Sequence, residues 1–598
     1  MKLSIIDKNI LIYLSQNDYS NQRSLMSGTG YSLGSVNKSL TALTEYGFLD
    51  SKMKLTKNAK KYLKDNSPKN AIILAAGYGM RMVPINTETP KGLLTVDGQP
   101  LVERTIDFLH EAGVTDISIV VGFMMEAYDY LVDKYGIKMI YNNDYAIKNN
   151  LHSLALAAGE LSNTYIIPCD IWSENNPFSS VEAYSWYMVS DLEDEESWIR
   201  VNRKSELAHV LSDGRSDKKN GNRMIGISYV CGEESEKLRT RLGEMALNPM
   251  YNESFWEEAA FDADKMYLSA KVASHKTVAE VNTYEQLREL DKSSRNLENE
   301  AIKVAAKALG KEPADIRDIT VLKKGMTNRS FLFKCDNEKY IMRIPGEGTE
   351  NLINRVDEAA VYDAIKDRGI CDDIVYLNPD NGYKITRFID NSRNCDPLNQ
   401  DDLDKCMKKL RDFHDLKLKV PHRFGIIEHI EYYESLWSTT ESIYRDYRDT
   451  KEKVLSLKDY IDSQNVELSL AHIDSVPDNF MLVSTASDEE EVKLIDWEYA
   501  GLQDRYVDIA MFCIYALYDQ KQVDNLIDTY FRVGGLETDE EIKSRIYAYI
   551  SMCGLLWSNW CEYKRGLGVD FGEYSLRQYR FAKDYYKLFM DRKNKTLE

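Results

Sequence analysis

A short apolar run early in the chain is followed by residues that could hold phosphates. Residues 71–76 are apolar, and Gly77, Gly79, Arg81 and Lys91 come after them. Because glycine lacks a Cβ, the backbone can turn tightly here and bring its N–H groups close to an anion. The two cations would add positive charge beside it. A plain turn with two surface cations is the alternative, but the pattern predicts a buried strand that ends in a phosphate-binding loop.

A second group of polar residues, far along the chain, has the spacing of a phosphotransferase site. Asp474 is followed five positions later by Asn479, and an apolar run ends at Asp496. This order resembles the catalytic loop and the metal-binding aspartate of the protein-kinase-like phosphotransferases. The resemblance implies that Asp474 orients or deprotonates the attacking hydroxyl. It also implies that Asn479 and Asp496 hold Mg²⁺.

The first group belongs to a longer signature. The string Leu-Ala-Ala-Gly-x-Gly-x-Arg, followed by Thr-Pro-Lys, resembles the nucleoside-triphosphate signature of the sugar-phosphate and phosphocholine nucleotidyltransferases. Residues 149–153 resemble the base-side loop of the cytidylyltransferase branch. The resemblance implies catalytic roles for Lys91 and Arg81. It implies nucleotide contacts for Leu74, Ala76, Gly77, Gly79, Asn150 and Ser153.

Two oxygen-bearing side chains could hold a metal ion beside these phosphates. Asp170 follows an apolar run. One carboxylate, together with phosphates and waters, suits Mg²⁺. The alternative is that Asp170 caps a helix. The second is Asn282, in the sequence Glu280-x-Asn282. The resembling phosphocholine enzymes carry Glu-x-Asp there, whereas sugar-phosphate relatives use Asn. The resemblance therefore implies a metal site at Asp170 and Asn282, with weaker protein charge on the ion.

Aromatic residues bear on the choice of substrate. A quaternary ammonium donates no hydrogen bonds, so ring faces and carboxylates recognise it. Trp198, Phe255 and Glu257 fall where the phosphocholine enzymes place their choline cage, and Glu280 could add a carboxylate. Each ring alone could instead belong to the core. The resemblance implies attack of a phosphomonoester oxygen on the α-phosphorus of CTP, with pyrophosphate leaving.

The C-terminal half departs from protein kinases and resembles choline kinases. Residues 324–331 replace the triple-glycine loop, and Arg343 stands where protein kinases carry lysine, with Glu358 as its ion-pair partner. The sequence Asp-Trp-Glu-Tyr at 496–499 is characteristic of the choline kinase branch. Asp508 is expected to brace the catalytic loop. The resemblance implies nucleotide contacts for Thr327, Asn328, Arg343 and Glu358, and a choline site at Tyr499, Trp557 and Trp560, although paired tryptophans on a helix are usually core.

The N-terminal residues form a locally basic module. Helical patterns at 5–14 and 32–43 and a hairpin-like stretch at 48–56 resemble a winged helix-turn-helix of the MarR-like kind. The reading helix carries one strong cation, Lys38. DNA binding and self-association therefore both stay open for residues 1–67.

A chain of 598 residues should hold several domains, because single cores rarely grow past about 300 residues. Strand-like runs at 117–122, 138–142 and 165–170 alternate with helices, which predicts parallel strands with a site at their carboxyl ends. We predict a multidomain α/β and α+β protein. Its domains are a winged helix-turn-helix at 1–67, a Rossmann-like nucleotidyltransferase with a mixed, mostly parallel sheet at 68–292, and a protein-kinase-like choline kinase fold at 300–598.

Bulk properties limit the environment and the partners. The net charge of −20 argues against broad nucleic-acid coating. Nine scattered cysteines without a C-x-x-C pair indicate reduced thiols, and no uncharged run is long enough to span a membrane. We therefore expect a cytoplasmic protein that does not bind membranes.

The motifs together resemble the bacterial Lic-type choline kinases and CTP:phosphocholine cytidylyltransferases. The resemblance implies that the C-terminal half phosphorylates choline with ATP, and that the central half joins phosphocholine to CTP, both with Mg²⁺. One alternative keeps the chemistries but uses ethanolamine, or a sugar phosphate with an aminoglycoside-type kinase. Another is a transcription regulator whose catalytic-looking halves sense ligands. The intact set Lys91, Asp170, Asp474, Asn479 and Asp496 argues against the regulator, because a sensor need not keep every metal-site residue.

Overall fold

The computed structural model describes residues 3–202, 205–210, 220–322, 328–346, 349, 352–485, 489–567 and 571–597. The chain divides into two compact units, Met1–Asn299 and Glu300–Glu598. Thr327, which the sequence predicts to contact nucleotide, lies outside the described residues. Within the described ranges no helix combines the length and the apolar character needed to cross a membrane.

The first unit begins with a small helical module. Its helices are α1 (Ile5–Gln16), α2 (Gln22–Thr29), α3 (Leu33–Glu45) and α4 (Lys57–Asn66). Their apolar faces share one core that includes Ile10, Leu11 and Leu43. The predicted hairpin at 48–56 is present in a short form. Leu49 and Leu55 form an antiparallel bridge, and the N–H groups of Thr56 and Asp50 donate to the carbonyls of Phe48 and Lys54 (both 3.0 Å) on either side of it. The carboxylate of Asp50 accepts the N–H groups of both Lys52 and Lys54, so a tight turn takes up residues that would otherwise pair.

The rest of the first unit is built on a mixed sheet. Its strands are β1 (Asn70–Ala75), β2 (Thr95–Val96), β3 (Gln99–Pro100), β4 (Asp116–Val121), β5 (Lys138–Tyr141), β6 (Thr164–Pro168), β7 (Ile171–Ser173), β8 (Trp186–Asp194), β9 (Ile199–Val201), β10 (Glu206–His209), β11 (Gly221–Val230), β12 (Phe261–Asp262), β13 (Lys265–Ala273) and β14 (Val278–Glu280). The main sheet has the order β5-β4-β1-β6-β11-β8-β13-β10-β9, with β12 on β13. Parallel pairing joins β5, β4, β1 and β6, and also β8 to β13, whereas the other pairs are antiparallel.

Helices cover this sheet, and short ribbons extend it. The helices are α5 (Leu101–Glu111), α6 (Tyr130–Tyr135), α7 (Asn150–Leu156), α8 (Gly232–Ala246) and α9 (Tyr284–Leu290). Strand β1 is buried along its whole length between β4 and β6, which fixes the loop after its carboxyl end. Strands β2 and β3 form one ribbon, and β7 and β14 form another. The Ser294 hydroxyl donates to the Thr95 carbonyl (2.7 Å), so the chain beyond α9 still packs on this unit.

The winged module packs on the segment that joins β7 to β8. Ala183 is buried among the core residues of the module. The Tyr184 hydroxyl donates to Asn9 Oδ1 (3.0 Å), and the Tyr62 hydroxyl donates to the Ala183 carbonyl (3.0 Å). These contacts use α1 and α4. Helix α3 therefore keeps its outer face, including Lys38, exposed.

The second unit opens with an antiparallel sheet and continues with smaller ones. Its strands are β15 (Arg317–Val321), β16 (Asn328–Cys335), β17 (Glu338–Pro345), β18 (Ile374–Leu377), β19 (Lys384–Arg387), β20 (Ser392–Asn394), β21 (Ser469–Ala471), β22 (Phe480–Ser484), β23 (Glu490–Leu494) and β24 (Gly501–Gln503). The five-stranded sheet has the order β15-β16-β17-β19-β18. A second sheet has the order β20-β22-β23, and β21 pairs with β24.

The remainder of this unit is helical. Its helices are α10 (Glu300–Leu309), α11 (Arg355–Ile365), α12 (Gln400–Asp415), α13 (Ile426–Ser435), α14 (Tyr447–Leu455), α15 (Leu457–Ser463), α16 (Tyr506–Tyr515), α17 (Gln520–Arg532), α18 (Glu540–Gly566) and α19 (Glu573–Leu597). Helix α18 is the central one, because residues 546–562 are all buried. A helix that is buried on all sides lies at the centre of its domain, where it can carry side chains into a cavity.

Candidate active sites

The loop after β1 shapes the candidate site of the first unit. Gly79 has a left-handed backbone (φ +61°), and a Cβ there would lie 2.8 Å from Cγ of Lys91. Such a contact is too close for a carbon atom, so a glycine is what allows Lys91 to lie across the loop.

Lys91 brings together the residues predicted to hold a metal ion. Its Nζ donates to Asp170 Oδ2 (2.8 Å) and to Asn282 Oδ1 (2.7 Å), and Arg81 Nη2 donates to the same Asn282 oxygen (2.9 Å). The backbone joins the same segments, because Val281 N–H donates to the Asp170 carbonyl (2.9 Å). Four predicted residues from three distant stretches therefore meet at one point.

Two carboxyl groups lie near this point, Glu280, which is half-buried, and Glu257, which is buried. Burial, followed by the negative charge of Asp170, raises the pKa of Glu280 to about 7. Burial also raises the pKa of Glu257 to about 7, and the charge of Glu280 adds to this effect. The Tyr187 hydroxyl donates to Glu257 Oε1 (2.9 Å), whereas Oε2 has no partner among the described residues. A positively charged group nearby would favour the ionised form of both.

The predicted cage rings have different neighbours. Trp198 stacks near His209 and Phe261, with ring centroids 5.3 and 5.2 Å away. Phe255 is half exposed, and the buried ring beside it belongs to Trp256. In the described part of the chain no ring contact joins Trp198 to Phe255. Their role in cation binding stays a prediction.

The predicted nucleotide-contacting residues also have structural tasks. Asn150 Oδ1 accepts the N–H of Trp256 (2.8 Å), and Ser153 Oγ accepts from Asn142 (3.0 Å). The carbonyls of Leu74 and Ala76 accept the N–H groups of Cys169 and Phe123 (both 3.1 Å). These bonds fix the loops around the site, and they leave the nucleotide contacts as predictions.

In the second unit, Asp508 braces the catalytic loop as expected. Its carboxylate accepts the N–H groups of His472 (2.9 Å) and Ile473 (2.7 Å), and its other buried contact is the ring of His414 (2.8 Å). Ile473 has a left-handed backbone (φ +70°), which a β-branched residue adopts only when its surroundings enforce it. Helix α16 therefore holds the loop that carries Asp474.

Asp474 is buried among other acidic groups. Asn479 Nδ2 donates to the Asp474 carbonyl (2.8 Å) and to its Oδ2 (3.1 Å). Burial, and then the charges of Asp496 and Glu498, raise the pKa of Asp474 to about 8. The predicted catalytic carboxylate and both predicted metal ligands are thus adjacent.

The predicted ion pair between Arg343 and Glu358 is present. Arg343 Nη1 and Nη2 donate to the two Glu358 oxygens (2.5 and 2.8 Å). Glu498 lies 3.5 Å from Nη1 and also accepts from Asn328 (3.0 Å). Arg355 adds a contact to Glu358 (2.9 Å). This buried network ties α11 to the sheet and to the segment after Asp496.

A cavity of about 360 Å³ unites these groups. The predicted site residues that line it are Asn328, Arg343, Asp474, Asn479, Asp496, Tyr499, Trp557 and Trp560. Trp557 lies between Tyr499 and Trp560, with ring centroids 5.8 and 5.4 Å away. The cavity therefore combines an acidic wall with aromatic faces, as a site for a cation with a reactive hydroxyl requires.

Three family models match separate parts of this chain. Residues 319–578 match the choline/ethanolamine kinase family, residues 71–178 the MobA-like NTP transferase domain, and residues 3–50 a winged helix-turn-helix DNA-binding family. The choline-phosphate cytidylyltransferase of Streptococcus pneumoniae is 32% identical over 228 residues, which are 38% of this chain and 98% of that protein. This chain belongs to the choline-phosphate cytidylyltransferase family.

Two further relatives each match a part of this chain. The 2-aminoethylphosphonate cytidylyltransferase of Lancefieldella rimae is 29% identical over 238 residues, which are 37% of this chain and 92% of that protein. Protein LicA of Haemophilus influenzae is 27% identical over 260 residues, which are 42% of this chain and 96% of that protein. The family matches confirm the predicted fold class and the two predicted activity classes, nucleotidyltransferase and kinase.

Each candidate active site has side-chain oxygens that fit a divalent cation. Among the described residues no three His, Cys, Asp or Glu side chains are grouped to hold a metal ion. Mg²⁺ however needs only one or two carboxylates when phosphates and waters complete its shell. Asp170 and Asn282 each present an oxygen to the same Lys91 nitrogen, and Asn479 and Asp496 line one cavity. Each pair offers one carboxylate and one amide oxygen.

Several residues of the kinase cavity escape the sequence motifs. Asp372, Lys384, Tyr515 and Tyr574 also line it. The Tyr515 hydroxyl donates to Asp478 Oδ2 (2.6 Å), beside Asn479. Lys384 is the first residue of β19, where no catalytic spacing marks it in the sequence. Its place opposite Arg343 is known only from the pairing of β19 with β17.

Proposed function

We propose that this chain makes CDP-choline from choline in two consecutive steps. The C-terminal unit phosphorylates choline with ATP, and the first unit transfers a cytidylyl group from CTP to phosphocholine. The observation that carries the proposal is the cavity that combines Asp474 with the rings of Tyr499, Trp557 and Trp560. The choline-phosphate cytidylyltransferase relative supports the second step. Both nucleotides are cytoplasmic, which makes the cytoplasm the proposed location.

In the kinase step, Asp474 is proposed to accept the proton of the choline hydroxyl. The choline oxygen then attacks the γ-phosphorus of ATP, and ADP leaves. Asn479 holds the Asp474 carboxylate in place for this transfer. Mg²⁺ bound by Asn479 and Asp496 would offset the charge of the triphosphate. The aromatic rings would hold the trimethylammonium group, which orients the hydroxyl toward Asp474.

In the cytidylyl step, a phosphocholine oxygen attacks the α-phosphorus of CTP, and pyrophosphate leaves. Mg²⁺ bound by Asp170 and Asn282 would neutralise part of the triphosphate charge. Lys91 and Arg81 are proposed to stabilise the charge that develops on the phosphate oxygens. Their N–H groups now bond Asp170 and Asn282, so they are already aimed at the point where the predicted metal ligands meet.

Each step can be tested with a panel of substrates. Purified protein is given ATP with choline or ethanolamine, and separately CTP with phosphocholine, phosphoethanolamine or 2-aminoethylphosphonate, and products are followed by mass. We expect the choline series to have the highest kcat/KM at both sites. Trp557→Ala should raise KM for choline strongly, because it removes a ring face. A preference for the primary amines, with KM for choline unchanged in Trp557→Ala, would overturn the choice of substrate.

We propose a separate role in DNA binding for residues 1–67, supported by the family match and the exposed face of α3. A gel-shift assay with mixed duplex DNA should show binding that weakens steeply with salt. Lys38→Ala should weaken it further. The absence of salt-sensitive binding would leave packing on the first unit as the module's role.

A further inference from the structure

The aromatic wall of the kinase cavity extends beyond the residues that the motifs mark. The ring of Phe571 lies between those of Trp560 and Tyr574, with centroids 5.2 and 6.3 Å away. Tyr574 in turn lies 6.1 Å from Tyr515, and both line the cavity. These contacts join Trp557, Trp560, Phe571, Tyr574 and Tyr515 into one aromatic row.

The aromatic row ends at a carboxylate. The Tyr515 hydroxyl donates to Asp478 Oδ2 (2.6 Å). Burial, followed by this hydrogen bond, raises the pKa of Tyr515, so the hydroxyl keeps its proton and remains the donor. Asn394 Nδ2 donates to the Asp478 carbonyl (3.0 Å), which holds the backbone of the same residue. Asp478 is therefore fixed both through its side chain and through its backbone.

Helix α16 positions the rings and this carboxylate together. The indole N–H of Trp557 donates to Met511 Sδ (3.1 Å). Met511 and Tyr515 are four residues apart on α16, so their side chains lie on the same face of the helix, and both line the cavity. One face of one helix therefore fixes the indole of Trp557 and the residue that anchors Asp478.

The other carboxylates that line the cavity already face a cation or have a proposed role. Asp474 and Asp496 are the proposed proton acceptor and metal ligand. Glu498 lies 3.5 Å from Arg343 Nη1 and accepts from Asn328. Burial raises the pKa of Asp372, and the charge of Lys384 opposes this effect. The negative charge of these four residues is therefore already engaged.

Asp478 is different, because its charge is still available at the mouth of the cavity. The residue lines the cavity and is exposed. Its Oδ1 has no hydrogen-bond partner in the part of the chain that the structure describes, whereas Oδ2 accepts from Tyr515. After burial and the charges of Asp496 and Glu498, the charge of Asp478 also raises the pKa of Asp474, so the two carboxylates are close. A cation held against the aromatic row beside Asp474 would therefore be attracted to Asp478 as well.

We propose that Asp478 is a specificity-determining residue of the kinase unit, whose carboxylate balances the positive charge of the acceptor alcohol. Tyr515 is the positioning residue that holds this carboxylate at the end of the aromatic row. The proposal rests on the proposed phosphorylation of choline by this unit. A cationic alcohol gains attraction from the carboxylate, whereas a neutral alcohol of the same shape gains only the contact with the rings. Asp478 therefore makes the unit select cationic over neutral alcohols.

The test compares choline with its neutral analogue, in which a carbon atom replaces the nitrogen and the hydroxyl is kept. Asp478→Asn removes the charge at constant size, and Tyr515→Phe removes the anchoring hydroxyl but keeps the ring. Asp380→Asn is the matched control, because Asp380 is an exposed aspartate of the same unit that does not line the cavity. Binding of both alcohols to the full chain with Mg²⁺ and ADP is measured by calorimetry, together with KM and kcat for each alcohol and KM for ATP.

We expect Asp478→Asn to weaken choline binding, and to raise KM for choline, by about fivefold or more, the effect of losing a partly screened charge pair. Binding of the neutral analogue, kcat and KM for ATP should match the parent chain. Tyr515→Phe should weaken choline binding by a smaller factor, and Asp380→Asn should leave it unchanged. Equal losses for choline and the neutral analogue, or no loss for choline, would overturn the proposal.

Further outcomes keep the result interpretable. If Asp478→Asn does not fold, Tyr515→Phe should still weaken the binding of choline but not of the neutral analogue, and equal effects on both would contradict the proposal. A parent chain that binds choline no more tightly than the neutral analogue would overturn it as well. If the parent chain binds choline but transfers no phosphate to it, the proposed function fails, and the comparison of the two alcohols still decides the role of Asp478.

Discussion

Asp474 differs from the acidic residues around it, because Asn479 holds its carboxylate while Asp496 and Glu498 surround it with negative charge. We predict that Asp474→Ala lowers kcat for choline phosphorylation by more than about 100-fold, the range expected for loss of a general base. Initial rates with saturating ATP and choline would measure the effect.

The CTP-dependent reaction of the first unit is the internal control for Asp474→Ala. Transfer from CTP to phosphocholine should continue at the rate of the parent chain, since Asp474 belongs to the other compact unit. A loss of tenfold or less in the kinase rate would favour a ligand-sensing role for this unit over catalysis.

Glu257 gives a prediction about stability and pH. Its pKa is raised to about 7 by burial, from an ordinary value of 4.5. Between these values the unfolded chain loses the proton while the folded chain keeps it, so this group makes the folded state less stable as pH rises. We expect Glu257→Gln to reduce the fall in melting temperature between about pH 5 and about pH 8. Calorimetric scans at both pH values would show this.

Glu253→Gln is the matched control for that measurement, because Glu253 is an exposed glutamate of the same segment. It should melt like the parent chain at both pH values. If Glu257→Gln instead steepens the fall, the buried carboxyl group must be ionised in the folded protein and paired with a cation.

At the scale of elements, the loop after β1 depends on Gly79. An alanine there would be strained by the left-handed backbone and would also push on Lys91. We predict that Gly79→Ala lowers the rate of cytidylyl transfer by about tenfold or more, because the displaced lysine no longer meets the transition state. Steady-state rates with CTP and phosphocholine would measure the loss.

Gly113→Ala is the control that separates the effect of backbone strain from the effect of displacing Lys91. Gly113 is also left-handed (φ +80°), but a Cβ there would meet nothing within 4 Å. Both variants should lose a similar amount of stability, and only Gly79→Ala should lose activity. Equal activity in the two variants would remove Lys91 from the mechanism.

The elements that position the sites could largely be predicted from local pattern. Strand β1 is an unbroken apolar run and the Asp474 loop has a fixed spacing, so the sequence alone predicts both. The hairpin at 48–56 is shorter than its pattern predicts, because the Asp50 side chain accepts the N–H groups of Lys52 and Lys54 in the turn. Pattern within a segment indicates the element but not which side chain will compete for its hydrogen bonds.

Contacts between distant segments could not be derived in the same way. The lysine of β19 became visible only through its register with Arg343, and the docking of Ala183 in the winged module joins residues far apart in sequence. Charge and periodicity do not tell which face of a strand meets a cavity. The family resemblance predicts Asn282 as a metal ligand, but only the structure shows its hydrogen bond with Lys91.

At the scale of the whole molecule, each compact unit has one proposed reaction. Lys91 and its partners lie in the unit that ends at Asn299, and the aromatic cavity lies in the unit that begins at Glu300. Because the two sites share no residue, inactivation of one should leave the other intact. The product of the kinase unit is the proposed substrate of the first unit, so the order of the two reactions is fixed by their chemistry.

The most direct test is to give the purified chain choline, ATP, CTP and Mg²⁺ and to follow products by mass. We predict that CDP-choline forms only when both nucleotides are present. We also predict that Lys91→Ala accumulates phosphocholine, whereas Asp474→Ala forms CDP-choline only from added phosphocholine. If choline is never phosphorylated, or if phosphocholine and CTP never yield CDP-choline, the assignment of two consecutive reactions to this chain is wrong.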